Sequence, residues 1–395
     1  MSAGSTKNIL FVVDNLGLSG KTRTMVFVAT HLDGRRFRST VCTLDDETSI
    51  LSDQLGACGI PVRRIACRNG IDWAVPLRLA RLMHSSDCDV VQCYNPRPML
   101  YGGIAAKLAG VRGTVGVLSA FACQVPDRTY EFLPQPLTTT SRRNIYRNRA
   151  AVGLMRYLVT VSATLGRRFC EYNGLGADKL RVIPYGADLS VVERVSDREA
   201  LEFRRALGFG SDEVLVGSVG RLVEQKDYLT QLRAFARAVS KDPRLRMVLA
   251  GDGPLKGDLL RIVQELKISS HVSLIGHCER VPVFLRCLDI FVLASKFEPF
   301  GVALLEAKAA GAAIVATRVN EIPEILSDGV SGLLSPAEDP ESMSRIFVSL
   351  ARNPEMRARL GRQAQAEARA QNSLESAVRG YQELYEASLG SARVS

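Results

Sequence analysis

The chain is poor in the features that would make it secreted, membrane-spanning or metal-stapled. It has one tryptophan in 395 residues, and its nine cysteines are an odd number with no Cys-x-x-Cys pair among them. Its four histidines, His31, His84, His271 and His277, form no ligand pair with one another or with a cysteine; the adjacent His277 and Cys278 read as an accident of packing. A disulfide framework and a structural zinc are therefore excluded, reduced thiols in a cytoplasm are expected, and neither metal nor cofactor is called for. The apolar stretch Ile9 to Val13 ends at Asp14, far short of the ~18 residues that span a bilayer. Neither a signal peptide nor a transmembrane segment is expected, and the reading is of a cytoplasmic protein, peripheral at most on the inner membrane face.

What is present is an ordinary globular composition, 46% hydrophobic and 23% charged, long enough for two domains. The net charge of +10 is unevenly placed. Residues 1 to 190 hold 24 Lys and Arg against 14 Asp and Glu, whereas residues 191 to 395 hold 27 of each. The excess points to an acidic partner for the first half, such as an anionic membrane surface or a phosphorylated lipid. Nucleic acid fits less well, because no basic-aromatic recognition motif accompanies the charge.

Short apolar runs alternate with amphipathic stretches. Asn8 to Val13, Ser39 to Leu44, Val62 to Ile65, Asp89 to Gln92, Thr114 to Leu118 and Tyr157 to Val161 read as strands. Thr22 to Leu32, Trp73 to Met83 and Met99 to Leu108 have helical spacing. The pattern restarts with a strand at Glu213 to Val219, a Gly-Arg turn and a helix from Lys226 to Val239. Strands follow at Arg246 to Ala250, Val272 to Ile275, Asp289 to Leu293 and Ala313 to Ala316. Such alternation implies α/β architecture: two Rossmann-like domains with parallel sheets facing across a cleft. The restart places a first domain at residues 1–190 and a second at 191–372, and a last helix, about 373–390, is expected to pack back on the first.

The chemistry concentrates in Glu298-Pro-Phe-Gly-Val-Ala-Leu-Leu-Glu306, directly after a strand. Pro299 and Gly301 suit a turn that opens a helix. Glu298 then precedes the helix and Glu306 sits near its second turn, roughly 8 Å or more along the axis at ~1.5 Å per residue. The free N–H groups between them suit a diphosphate, and carboxylates on either side suit sugar hydroxyls.

These residues, with Gly220-Arg221 followed by Lys226, resemble the retaining glycosyltransferases of the GT-B fold in the large family GT4. Val161-Ser162, Ile183-Pro184-Tyr185-Gly186, Gly251-Asp252-Gly253-Pro254, Ile275-Gly276, Ile322-Pro323-Glu324 and Asp328-Gly329 extend the match over about Lys7 to Ala351. The resemblance implies a metal-independent, hexosyltransferase-type enzyme of polysaccharide or glycolipid assembly. It would take a nucleotide diphosphate sugar, UDP-sugar favoured over GDP-sugar, and use a glycan or lipid-linked acceptor. On it, Arg221 and Lys226 clamp the diphosphate, Glu298 takes the hydroxyls of the transferred sugar and Glu306 the ribose. Gly20, Gly220, Ile275, Phe300, Gly301 and Val302 belong to the donor site.

The chain also departs from the family. Ser119 stands where the family has a donor-contacting His, and Cys93 or Asn95 where a second is frequent. Asn320-Glu321 replaces a usual Gly-Gly. Ser119 is the best support for a rival reading, a degenerate scaffold that binds nucleotide or glycan without turnover. A third reading, a P-loop-like phosphotransferase, rests on Asn15-Leu-Gly-Leu-Ser-Gly20-Lys21-Thr22. It lacks the motif's first glycine and an Asp-ended strand for magnesium. Finally, Arg142, Arg143, Arg147 and Arg149, with Ile145 and Val152, form a basic amphipathic stretch suited to an anionic membrane or a lipid-diphosphate acceptor, or simply to a solvated helix face.

Overall fold

A computed structural model of the chain describes residues 6–17, 20–45, 50–67, 72–118, 142–298 and 301–390. The chain divides into two units, exchanging between Gly186 and Ala187 and again between Ser373 and Leu374. The first exchange falls slightly before the boundary that the pattern of residues suggests. The two crossing points are bonded to each other: Ala187 N–H donates to the Asn372 carbonyl at 2.8 Å, and Ala187 bridges Ser373.

The first unit runs β1 (Lys7–Val13), α1 (Gly20–His31), β2 (Phe37–Thr43), α2 (Ile50–Ala57), β3 (Val62–Arg64), α3 (Ala74–Ser85) and β4 (Cys88–Tyr94). It continues through α4 (Pro96–Ala109), β5 (Gly113–Val117), α5 (Arg142–Gly153), β6 (Tyr157–Thr160), α6 (Ala163–Asn173) and β7 (Leu180–Val182). Its seven strands are ordered β3-β2-β1-β4-β5-β6-β7 and pair in parallel. Strands covered on both faces read as continuous apolar runs, and Ile9, Phe11 and Val13 of β1 are wholly buried.

The second unit contains α7 (Ser190–Glu193), α8 (Asp197–Ala206), β8 (Val214–Val219), α9 (Tyr228–Val239), β9 (Leu245–Ala250), α10 (Lys256–Glu265) and β10 (Val272–Gly276). Then come α11 (Val281–Arg286), β11 (Ile290–Leu293), α12 (Val302–Ala310), β12 (Ala313–Thr317), α13 (Ile322–Ile325), β13 (Leu333–Ser335), α14 (Pro340–Arg352) and α15 (Pro354–Gln371). The sheet order is β10-β9-β8-β11-β12-β13, again parallel. Leu232 and Phe235 of α9, Phe347 and Leu350 of α14, and Val216 and Met247 of the sheet meet in one core.

The last helix, α16 (Leu374–Ser388), belongs to the first unit. Tyr381 and Tyr385 enter that unit's core, and the Tyr385 hydroxyl donates to Gln92 Oε1 at 2.6 Å while Gln92 Nε2 donates to the Tyr94 hydroxyl at 2.6 Å. A buried amide placed between two phenols has its polar atoms satisfied, so α16 is fixed by directional bonds as well as by apolar area. No described helix is long and apolar enough to cross a membrane.

Candidate donor site

In an open parallel sheet whose strand order reverses, ligands enter the crevice at the carboxyl ends of the strands where the reversal occurs. In the second unit that point lies between β8 and β11. The loop after β8 holds a single 3-10 turn, Glu224–Lys226, and ends at Asp227, whose side chain accepts from Thr230 N–H at 3.2 Å to cap α9. Residues 294–298 lie between β11 and Gly301, the cap of α12. The two loops are sewn together: Lys296 N–H donates to the Gln225 carbonyl at 2.9 Å, and Gln225 Nε2 to the Phe297 carbonyl at 3.0 Å.

Glu298 is the centre of this arrangement and is only 5% exposed. Its Oε2 accepts from Lys226 Nζ at 2.5 Å and from Ser295 Oγ at 3.0 Å, and its Oε1 from Gly301 N–H at 3.1 Å. A buried carboxylate is tolerable only when its lone pairs are occupied and a cation faces it, and both conditions are met. Its backbone is held too, because Glu298 N–H donates to Asn320 Oδ1 at 3.2 Å. Below it Tyr228 is buried, and burial pushes its hydroxyl up to about 12, a hydrogen bond with Ser218 countering and the Glu298 charge adding.

Glycines bring three further strand ends close. Gly220 N–H donates to the Ala250 carbonyl at 3.0 Å, and Gly251 N–H to the Gly276 carbonyl at 2.7 Å. Gly251 has φ +152°, and a Cβ there would stand 1.8 Å from the Gly220 carbonyl oxygen, so no other residue fits without moving the backbone. The carboxyl ends of β8, β9 and β10 therefore form a low ledge of bare backbone beside the Lys226–Glu298 pair, and Ile275 stands at the end of β10.

Lys226, Glu298, Gly301 and Asn320 thus meet through direct hydrogen bonds, with Gly220 at the start of the same β8 loop. Arg221 is exposed on that loop and makes no ion pair among the described residues. Val302 is the first residue of α12 and 47% exposed, and Glu306 lies half-buried on the helix's second turn, as the spacing predicts. Phe300 and Ser119 lie outside the described residues. Gly20 opens α1 in the first unit. Arg142 and Arg143 open α5, Arg147 is exposed on it, and Arg149 Nε donates to the Asn173 carbonyl at 2.5 Å, closing the carboxyl end of α6.

Sequence reasoning treats Lys226 and Glu298 as separate donor contacts, and it misses that they are partners. It also misses Ser295 and Gln225, small polar residues whose roles depend on a loop fold with no spacing signature. A buried cation on α12 escaped it as well: Lys308 Nζ donates to the Ile325 carbonyl at 2.6 Å, to Asn372 Oδ1 at 3.2 Å and to Glu367 at 3.3 Å. Burial lowers its pKa, and the Glu367 charge works against that. In the first unit, the reversal lies between β1 and β4, where Arg97 donates to Asp14 at 2.7 Å and Asp45 at 3.1 Å.

Two family models cover the chain in succession: Glycosyltransferase Family 4 over residues 18–191 and Glycosyl transferases group 1 over residues 199–367. EpsF of Bacillus subtilis is 28% identical over 83% of this chain and 80% of its own. A D-inositol 3-phosphate glycosyltransferase of Saccharomonospora viridis is 34% identical over 48% of this chain and 46% of its own. The chain spans about half the length of several curated relatives it matches. Among solved structures, Anabaena Alr3699/HepE in complex with UDP superposes with a TM-score of 0.78 at 20% identity, covering 96% of this chain and 100% of that one. That likeness is one of fold.

Proposed function

Because the chain belongs to the GT4-type glycosyltransferases of the GT-B fold, its two halves matching their two family models in order, we propose that it transfers a sugar from a nucleotide diphosphate sugar to an acceptor hydroxyl. The observation that carries this reading is the buried Lys226–Glu298 pair at the strand-order reversal of the second unit. A lysine held at a helix-opening turn by a carboxylate, beside exposed Arg221 and the first amides of α12, supplies positive potential where a diphosphate leaves.

As the bond from the anomeric carbon to the diphosphate breaks, negative charge grows on the leaving oxygens. Arg221, Lys226 and the N–H groups of the first turn of α12, from Val302 on, stabilise that charge more than the ground state, without requiring a divalent ion. Glu298, whose carboxylate has one acceptor position left beyond its bonds to Lys226, Ser295 and Gly301, orients the transferred sugar through a hydroxyl, and Glu306 the ribose. The acceptor hydroxyl forms the new bond on the face the diphosphate leaves, and its proton passes to a leaving phosphate oxygen, so configuration is retained and no enzyme nucleophile is consumed. UDP-sugar is the favoured donor; Alr3699/HepE binds UDP. The acceptor is a glycan or a lipid-linked saccharide.

The test is a screen of UDP-, GDP- and ADP-sugars, following nucleotide release with and without acceptor extracts. Transfer from one donor, unaffected by a chelator and lost in Lys226→Ala, is expected. Tight nucleotide binding with no turnover of any donor would instead establish the scaffold reading that Ser119 suggests.

A further inference from the structure

We infer that the edge formed by α3 and α4 is a docking surface for an anionic lipid bilayer. The inference does not depend on the transfer reaction and uses none of the donor-site residues.

Three consecutive helices of the first unit, α3, α4 and α5, contain no acidic residue. They pack side by side as one layer, α4 against both neighbours. Flanking carboxylates neutralise part of the layer's positive charge, Asp72 facing Arg78 and Asp14 and Asp45 facing Arg97, whereas Arg81 and Lys107 make no ion pair among the described residues and leave the α3–α4 edge a net positive face.

The same edge exposes large apolar side chains that a water-facing surface would bury or replace. Trp73, at the cap of α3, is 65% exposed, Leu77 one turn on is 53% exposed, and Leu108 near the end of α4 is 59% exposed. Leu77, Ala80, Leu108 and Ala109 line a groove of about 440 Å³, with Arg81 and His84 on its wall. Trp73 is the sole tryptophan of the chain. An indole and two leucines framed by Arg81 and Lys107 match the composition of interfacial helices, in which rings and aliphatic chains enter the headgroup boundary and cations meet lipid phosphates.

Charge complementarity selects the occupant. A second copy docked through the same patch on a two-fold axis would bring Arg81, His84 and Lys107 against their own kind. A phospholipid surface presents the opposite sign together with an apolar layer for Trp73, Leu77 and Leu108. An acidic soluble polymer would satisfy the cations and leave the leucines in water.

The single tryptophan makes the test direct. With vesicles of phosphatidylglycerol and phosphatidylcholine at low salt, Trp73 emission should shift to the blue, and the shift should reverse as salt screens the surface. Pure phosphatidylcholine vesicles should give little shift. Each basic residue at an anionic surface contributes about a fivefold gain in partitioning, so Arg81→Gln with Lys107→Gln should weaken it about 30-fold. Leu77→Asp with Leu108→Asp should abolish binding, and Trp73→Ala should reduce cosedimentation. All five side chains are exposed, and circular dichroism and the urea midpoint check that the variants are folded. Three results overturn the inference: no shift with anionic vesicles, an equal shift with soluble polyphosphate, or a lipid-free dimer abolished by the leucine substitutions.

Discussion

The two units share a strand order and place opposite chemistries at its reversal. In the second, the cation comes from the loop after the first strand and the carboxylate from the loop after the fourth: Lys226 follows β8 and Glu298 follows β11. In the first, the polarity is exchanged, since Asp14 follows β1 and Arg97 opens α4 after β4. Burial differs as well: the side chains of Lys226 and Glu298 are 20% and 6% exposed, those of Arg97 and Asp14 38% and 22%. A shared topology fixes where a ligand can enter, and the side chains there decide what it can be.

The largest effects should follow from breaking the second unit's pair. Lys226→Ala should lower kcat/KM for the donor on the order of 10² to 10³-fold, the cost of one stabilising group on a developing anion. Glu298→Gln leaves Lys226 without its counter-charge and should lower kcat by a comparable factor, with weaker loss of affinity for free UDP. Because the two residues touch, the double variant should lose far less than the product of the single losses. Strictly additive losses in a double-mutant cycle would show that they act apart, and the contrast drawn between the units would lose its basis.

The backbone ledge is the next point of contrast. Gly251→Ala sets a methyl group against the Gly220 carbonyl in a conformation L-residues avoid, and should destabilise the second unit by about 3 kcal/mol or more. Gly208 also has positive φ but has nothing within 4 Å of its ideal Cβ. Gly208→Ala should therefore cost only about 1 to 2 kcal/mol, from strain alone. Urea unfolding of the two variants compares steric with conformational cost, and equal losses would remove the close approach from the explanation.

Much of this was legible from residues alone. β1 and β8 are continuous apolar runs, and the strand, Gly-Arg turn and helix around Gly220 announced a repeated α/β unit. The Glu298 to Glu306 spacing predicted a helix opening between them, and α12 does start at Val302. Strands of three residues are too short to show a period: β7 and β13 escaped, and of the three such strands β3 alone was read, as Val62 to Ile65. The Lys226–Glu298 contact was hidden for a different reason. The two positions are 72 residues apart, and only the reversal of strand order makes their loops neighbours. Arg97 was missed because an arginine one residue past Pro96 has the pattern of any solvated helix start. Lys308 was missed because a lysine within an alanine-rich helix gives no sign of facing inward.

Lys308 allows the support behind the donor helix to be tested by pH. Lys308→Met leaves the Ile325 carbonyl and Asn372 Oδ1 without their donor and should cost about 1 to 3 kcal/mol near neutrality. The sign of its pH dependence follows from burial, which lowers its folded pKa below the ordinary 10.5. Between that lowered value and 10.5 the unfolded chain binds more protons than the folded one, so this lysine's contribution to stability rises with pH. Below the lowered value its penalty is fully present. Other groups titrate in the same alkaline range, so the quantity to follow is the difference between wild type and Lys308→Met. That difference should widen in favour of wild type through the window, and a narrowing would mean the ammonium is not desolvated in the fold.

The smallest effect belongs to the first unit's pair. Arg97→Ala removes a partly exposed cation between Asp14 and Asp45, and exposed ion pairs are worth about 0.2 to 1 kcal/mol. The two carboxylates can turn to water, so stability should fall by no more than that. Since Arg97 stands outside the unit assigned to the donor, affinity for UDP measured by calorimetry should stay within about twofold of wild type, a change of ~0.4 kcal/mol. A loss of UDP affinity as large as that of Lys226→Ala would mean that both reversals grip the nucleotide, and the opposite polarity of their ion pairs would then divide one ligand rather than separate two.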